Sequence, residues 1–267
     1  MNTVMIRQTL PVVILCGGTG TRLREETEFK PKPMVEVGGR PMLWHIMKIY
    51  SHYGYKDFIL CLGYRGQQIK DYFLNHQLLS RDFHLDLSTN ITTVLDANGI
   101  DDFRITFAET GLETLTGERL LKAAKYINNE EFMLTYGDGV SDIDLNRLRA
   151  FHDEKVTRLG AIGTVTGIHP KSKYGLVNHN ENHLITNFTE KPRLPDYTNG
   201  GFMVLRKEFL AYCQPGQMVE EALIAASQDH KISMYPHEGF WHCMDTYKDK
   251  EDLEVLWKQN PKWKLWA

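Results

Sequence analysis

Three observations predict an α/β fold wound on a doubly covered, mostly parallel sheet. Short apolar runs at 12–16, 57–63 and 132–136 are rich in valine, isoleucine and leucine and end in glycine, as strands buried on both faces do. Between the first two runs, Met42, Leu43, Ile46, Met47, Ile49, Tyr50 and Tyr53 recur at helical spacing. The first run also breaks directly into Gly17-Gly18-Thr19-Gly20, a loop suited to the carboxyl edge of such a sheet.

Taken in order, residues 1–10 read as an extension ahead of the first strand. Gly38-Gly39-Arg40-Pro41 is a turn whose proline starts the 42–53 helix, and Gly54 suits its end. The second strand is 57–63, followed by a helix over 67–75. Residues 79–102 break the rhythm: Phe83, Leu85 and Leu87 alternate with polar residues, and 91–94 follows a polar turn. This reads as an inserted β-ribbon, packed either on its own domain or against a second copy. The rhythm resumes with a strand at 104–108, a helix at 118–127, the strand 132–136, a helix at 145–154 and a strand at 160–166. The last third is β-rich, with strands near 176–178, 184–189 and 201–205. A helix over 219–227, a strand-like piece at 240–245 and a closing helix over 248–257 follow. With no repeat, low-complexity stretch or linker, residues 1–267 read as one domain: a doubly wound (Rossmann-like) sheet, an inserted ribbon and a β-rich C-terminal part.

A net charge of −3 argues against a nucleic-acid binder with a broad basic face. No window of about 18 apolar residues suggests a membrane span, and the 12–16 run is too short for a signal-peptide core. Cys16, Cys61, Cys213 and Cys243 are scattered, which fits free thiols in a reducing cytoplasm.

The chemistry concentrates in a few places. Glycines present bare N–H groups to an anion, and Arg22 and Lys32 supply cations. The loop lacks the Gly-Lys-Ser/Thr of a P-loop. It is also a poor dinucleotide fingerprint, since Leu23 takes the third glycine position and no acid ends the second strand. Lys32 lies between Pro31 and Pro33, which is expected to hold it on a stiff extended segment. Asp138, between Gly137 and Gly139 at a strand end, is a candidate magnesium ligand. Asp245 is the natural second carboxylate, or else the cap of the last helix. Asp142 and Asp144 read as a helix N-terminal cluster. Tyr174-Gly175 and Glu190-Lys191-Pro192 could meet a second phosphate and a sugar, or be a turn and a surface ion pair.

Taken together, the Gly17–Leu23 loop, Pro31-Lys32-Pro33-Met34, Asp138, Glu190-Lys191-Pro192 and Asp245 resemble the pattern of the sugar-1-phosphate nucleotidylyltransferases over nearly the whole chain. Within that family the likeness is nearest to the branch that joins CTP to glucose 1-phosphate. It is carried by 30–39, Leu43-Trp44-His45-Ile46-Met47-Lys48, 135–140, Asn199-Gly200-Gly201-Phe202, Gly239-Phe240-Trp241 and Met244-Asp245-Thr246. The branch's late-helix Trp-Glu and Glu-Pro-Leu and its Gln-Pro before Met244 are replaced here by residues 218–223 and by His242-Cys243.

The resemblance implies Mg²⁺-dependent cytidylyl transfer from CTP to a sugar 1-phosphate, giving a CDP-sugar and pyrophosphate for deoxysugar or surface-polysaccharide synthesis. UTP or dTTP, another hexose phosphate, or a non-catalytic sugar-nucleotide module stay open as alternatives. The resemblance assigns catalysis to Arg22 and Lys32, and the metal to Asp138 and Asp245. Nucleotide contacts fall to Leu15, Gly17, Gly18, Thr19, Gly20, Thr21, Glu113, Thr116, Gly117, Arg119 and Gly137. Sugar-phosphate contacts fall to Tyr174, Gly175, Glu190, Lys191, Asn199 and Gly200. A homo-oligomer through the 79–102 ribbon is the expected assembly.

Overall fold

The computed structural model describes residues 9–20, 23–95 and 101–266. Fifteen strands and seven α-helices follow in chain order among them. They are β1 Val12–Leu15, α1 Arg24–Thr27, β2 Glu36–Val37, β3 Arg40–Pro41, α2 Met42–His52, β4 Asp57–Leu62, α3 Gly66–Leu79, β5 Phe83–Asp86, β6 Ile91–Val94, β7 Arg104–Glu109 and α4 Thr116–Ala123. The second half adds β8 Glu131–Tyr136, β9 Gly139–Ser141, α5 Leu145–Leu159, β10 Gly163–Ile168, β11 Leu176–His179, β12 Ile185–Thr189, β13 Thr198–Arg206, α6 Val219–Gln228, β14 Ile232–His237, β15 Trp241–Cys243 and α7 Tyr247–Gln259.

Seven strands form the central sheet in the order β14-β10-β13-β8-β1-β4-β7. β13 runs antiparallel to both neighbours, and every other pairing is parallel. Alternation along β1 sends Val12 and Ile14 into one apolar cluster and Val13 and Leu15 into the other. Residues of α2, α3, α5 and α7 cover the first face. Residues of α4 and α6 cover the second. Each fully buried large side chain here, such as Phe58, Phe132 or Phe202, contributes about 1.5–3 kcal/mol. The expected mostly parallel, doubly covered sheet is present. No helix among the described residues is long and apolar enough to cross a membrane.

Local signals set the helix ends. Asp144 caps α5, accepting from the Asn146 and Arg147 amides at 2.9 and 3.0 Å, and left-handed Gly160 (φ 65°) closes it. Gly160 is therefore a cap, and the strand expected from 160 begins at Gly163. Asp142 does not join Asp144 at the helix start. It accepts from the Phe240 amide at 2.7 Å and so ties two loops.

β14 is a sheet strand that the apolar pattern missed. Ser233, Tyr235 and His237 interrupt its run, because an edge strand has only partial cover. The inserted β5–β6 ribbon pairs Phe83 with Val94 and Asp86 with Ile91. Phe83, Leu85, Leu87 and Ile91 stay exposed. A second exposed hairpin, β11–β12, follows β10.

Candidate active site

The carboxyl ends of β1, β4 and β8 lie side by side, and the Gly-rich loop, Lys32, Asp138 and Asp245 gather there. β8 ends in Tyr136, and the Gly137 amide bonds the Leu15 carbonyl of β1 at 3.2 Å. A Cβ on Gly137 would lie 2.9 Å from the Pro33 ring, so glycine lets three segments close on one point. β9 then pairs antiparallel with β15, setting Cys243 opposite Gly139, and the Met244 amide bonds the Asp138 carbonyl at 2.9 Å. This small strand pair brings Asp138 and Asp245 together from distant parts of the chain.

Lys32 Nζ donates to Asp138 Oδ2 at 2.6 Å and to Asp245 Oδ1 at 2.7 Å. The Lys32 side chain is 13% exposed, against 25% and 33% for the two aspartates. Burial alone would lower the Lys32 pKa. The negative field of Asp138, with the hydrogen bonds to both carboxylates, outweighs it and holds the ammonium well above its ordinary range. Cys243 Sγ joins one oxygen from each aspartate in a group of donor atoms lying within 4.8 Å of one another. Burial, then the charge of Asp138, push its thiol up. Asp245 does not cap α7; Thr246 does, in a capping box with Asp249. Two hard oxygen donors converging on a point already held by an ammonium fit a small divalent cation such as Mg²⁺.

The backbone of Lys32 departs from expectation. Instead of an extended segment, Lys32–Met34 is a 3₁₀ turn, closed by Met34 N to Pro31 O at 2.8 Å and Val35 N to Lys32 O at 3.1 Å. Pro33 sits where its missing N–H would have no helical partner anyway. Pro31 before the turn and Val35 after it are extended. The stiffness is retained with a different geometry.

The Gly-rich loop leaves Gly18 and Thr19 exposed; a Cβ on Gly18 would meet nothing within 4 Å, and Gly20 has φ 64°. Arg22 and Thr21 lie outside the described residues. The following segment is fastened at several points. Thr27 Oγ1 bonds the Gly20 and Leu23 carbonyls, Tyr64 OH and Arg65 reach the Thr27 and Glu28 carbonyls, and Lys250 of α7 pairs with Glu26.

Arg119 is only 3% exposed. It donates to the carbonyls of Leu62, Gly111, Gly17 and Leu112 at 2.6–3.1 Å and to Thr110 Oγ1 at 2.7 Å. Its guanidinium is a clip joining the loops after β1, β4 and β7. Gly117 and Thr116 turn toward α6: Gly117 N bonds the Gln217 carbonyl at 3.0 Å, and Thr116 Oγ1 accepts from Val219 N at 2.9 Å. Glu113 is exposed.

On the other side, Asn199 Nδ2 donates to Tyr136 OH at 3.3 Å, and Tyr136 OH donates to Glu220 Oε1 at 2.6 Å. Gly200 O accepts from Trp241 Nε1 at 2.7 Å. A Cβ on Gly175 would meet Phe188 and Glu190, so these residues of the exposed hairpin come together. Glu190 and Lys191 are both exposed and form an ion pair at 3.6 Å, and Tyr174 is exposed. Sequence reasoning did not select Tyr136, Glu220 or Cys243. Tyr136 and Glu220 meet only in three dimensions. Cys243 carried a signal, its i, i+2 spacing from Asp245 on an extended segment.

The family described as nucleotidyl transferase matches residues 11–241. A Bacillus subtilis protein named "Probable glucose-1-phosphate cytidylyltransferase" is 42% identical over 261 residues, covering 96% of this chain and all of that one. The glucose-1-phosphate cytidylyltransferase of Salmonella typhimurium is 40% identical over 262 residues with the same coverage. Among solved structures, HddC from Yersinia pseudotuberculosis, complexed with GMP-PN, superposes with a TM-score of 0.66 at 21% identity, covering 93% of this chain and all of that one; this is a likeness of fold.

Proposed function

The chain belongs to the nucleotidyl transferase family, and from that premise we propose that it transfers a cytidylyl group from CTP to α-D-glucose 1-phosphate, yielding CDP-glucose and pyrophosphate. The observation that carries the reading is the convergence of Lys32, Asp138 and Asp245 on one point beside the Gly-rich loop. The 40–42% identity to glucose-1-phosphate cytidylyltransferases over their full length supports the choice of base and sugar.

A phosphate oxygen of the sugar attacks the α-phosphorus of CTP, and the bond to the bridging oxygen of the β-phosphate breaks. The substrate brings its own nucleophile, so the protein's task is alignment and charge neutralisation. The amides of Gly17, Gly18, Thr19 and Gly20 cover the triphosphate, with Leu15, Thr21 and Gly137 at its edges. Arg22 grips the β- and γ-phosphates and steadies the departing pyrophosphate. Lys32 leaves its two aspartates to neutralise the α-phosphate and the incoming sugar phosphate.

Asp138 and Asp245 would hold Mg²⁺, which would supply charge neutralisation at the α-phosphate. Arg119 acts through the loops it clips, and Glu113, Thr116 and Gly117 line the nucleotide side. Lys191 receives the sugar phosphate, while Tyr174, Gly175, Glu190, Asn199 and Gly200 meet the hexose. The exposed apolar ribbon joins one copy to another.

The test crosses CTP, UTP, dTTP, ATP and GTP with a panel of sugar 1-phosphates in Mg²⁺ and measures pyrophosphate. Release is expected from CTP with glucose 1-phosphate; silence from that pair overturns the assignment. Asp138→Ala is expected to lose on the order of 10²-fold or more in turnover while staying folded.

A further inference from the structure

The transfer reaction gives Cys243 no task, although its sulfur lies among the metal donors. Cys243 ends β15 opposite Gly139, one residue beyond Asp138, and stands two residues before Asp245. Its Sγ and one oxygen from each aspartate lie within 4.8 Å of one another. The centre therefore holds two hard donors and one soft one.

Mg²⁺ takes oxygen ligands and has no use for sulfur. Zn²⁺ and Co²⁺ accept thiolate and carboxylate together. In a tetrahedral site, with oxygen at about 2.0 Å and sulfur at about 2.3 Å, neighbouring donors stand roughly 3.3–3.5 Å apart. The cluster reaches that geometry by drawing in about 1 Å as the Lys32 ammonium withdraws from the two carboxylates it now spans.

Building on the metal reading of this site, we infer that Cys243 gives the centre a second ion preference: a thiophilic divalent cation binds through Asp138, Cys243 and Asp245 and excludes Mg²⁺. As the metal–sulfur bond forms, the thiol proton passes to solvent and no electrons change hands. Three protein donors leave a four-coordinate ion one open position. The soft sulfur makes the site selective among metals; the carboxylates alone would not.

The test titrates metal-free, full-length protein with Co²⁺ and records its absorption. A sulfur-to-cobalt charge-transfer band in the near ultraviolet is expected, absent from Cys243→Ser and Cys243→Ala. Zn²⁺ is expected to abolish it at concentrations at least roughly 10-fold below those of Mg²⁺. In the unmodified protein, bound Zn²⁺ is expected to shield Cys243 from alkylation, read by peptide mass spectrometry. A band that survives in either folded variant overturns the inference, as does alkylation that Zn²⁺ leaves undiminished. Co²⁺ binding that calorimetry detects and Asp138→Asn abolishes, but that shows no band, leaves the metal centre standing and removes the cysteine from it. Failure of both Co²⁺ and Mg²⁺ to bind overturns the two readings together.

Discussion

Replacing Lys32 by methionine keeps the length of the side chain and deletes the charge that holds Asp138 and Asp245 together. Each of the two ion pairs, at 2.6 and 2.7 Å, is worth a gross ~6 kcal/mol at an effective dielectric constant of about 20. Desolvating the ammonium cancels much of that. The net cost of removing one partner of a buried pair is about 3–5 kcal/mol, and here the low end applies because Asp245 is 33% exposed. A loss of about 3 kcal/mol lowers the melting temperature of a chain this size by roughly 6–12 °C.

The carboxylates of the variant then lack the Lys32 ammonium that spans them. Mg²⁺ at about 100 times its Kd restores ~2.7 kcal/mol. The parent protein gains less, because Mg²⁺ has to displace the ammonium first. The assay is thermal unfolding followed by near-ultraviolet circular dichroism, with EDTA and with MgCl₂, for both proteins. Turnover of the variant is expected to fall by roughly 10²–10³-fold. A variant that melts with the parent in EDTA, or gains no more than the parent from Mg²⁺, refutes the reasoning.

Other perturbations test other parts of the structure. Arg119→Met strands the carbonyls of Gly17, Leu62, Gly111 and Leu112. It is expected to destabilise the protein by about 2–3 kcal/mol in urea unfolding and to raise the KM for CTP more than it lowers kcat, whereas an Arg119 that touched only the transition state would lower kcat alone. His45 is fully buried, and burial lowers its pKa to about 4. Trp263 Nε1 points at its Nδ1 at 3.4 Å, which favours the neutral ring. The stabilisation is complete above pH 6.5 and lost as pH falls toward 4, an expected fall of about 3 kcal/mol; His45→Gln should flatten that slope in urea midpoints taken at pH 7 and 4.5. Leu85→Lys with Leu87→Lys on the ribbon is expected to lower the sedimentation coefficient toward that of a monomer, and an unchanged coefficient removes the ribbon from the assembly.

The sequence by itself determined the elements whose signals are local. The 12–16, 57–63 and 132–136 runs are strands because buried parallel strands must be apolar throughout. Asp144 opens α5 because it satisfies helix-end groups in its own neighbourhood, whereas Gly160, read as the start of a strand, closes the helix. The glycines of the first loop and Asp138 at a strand end are the local signals on which an anion site and a cation site are expected.

What the sequence did not contain are relations between distant segments. β14 escaped because an edge strand need not be continuously apolar. The turn at Lys32 escaped because proline biases its neighbour without forbidding a single 3₁₀ turn. The Tyr136–Glu220 bond and the Arg119 clip exist only once β8, α6 and three loops share one sheet edge. The pairing of β9 with β15 puts Asp245, Asp138 and Cys243 round one point. β9 and β15 form a two-stranded sheet of their own, settled by packing and hydrogen bonding summed over the whole fold, so only the tertiary structure could decide that the lysine, the aspartates and the thiol come together.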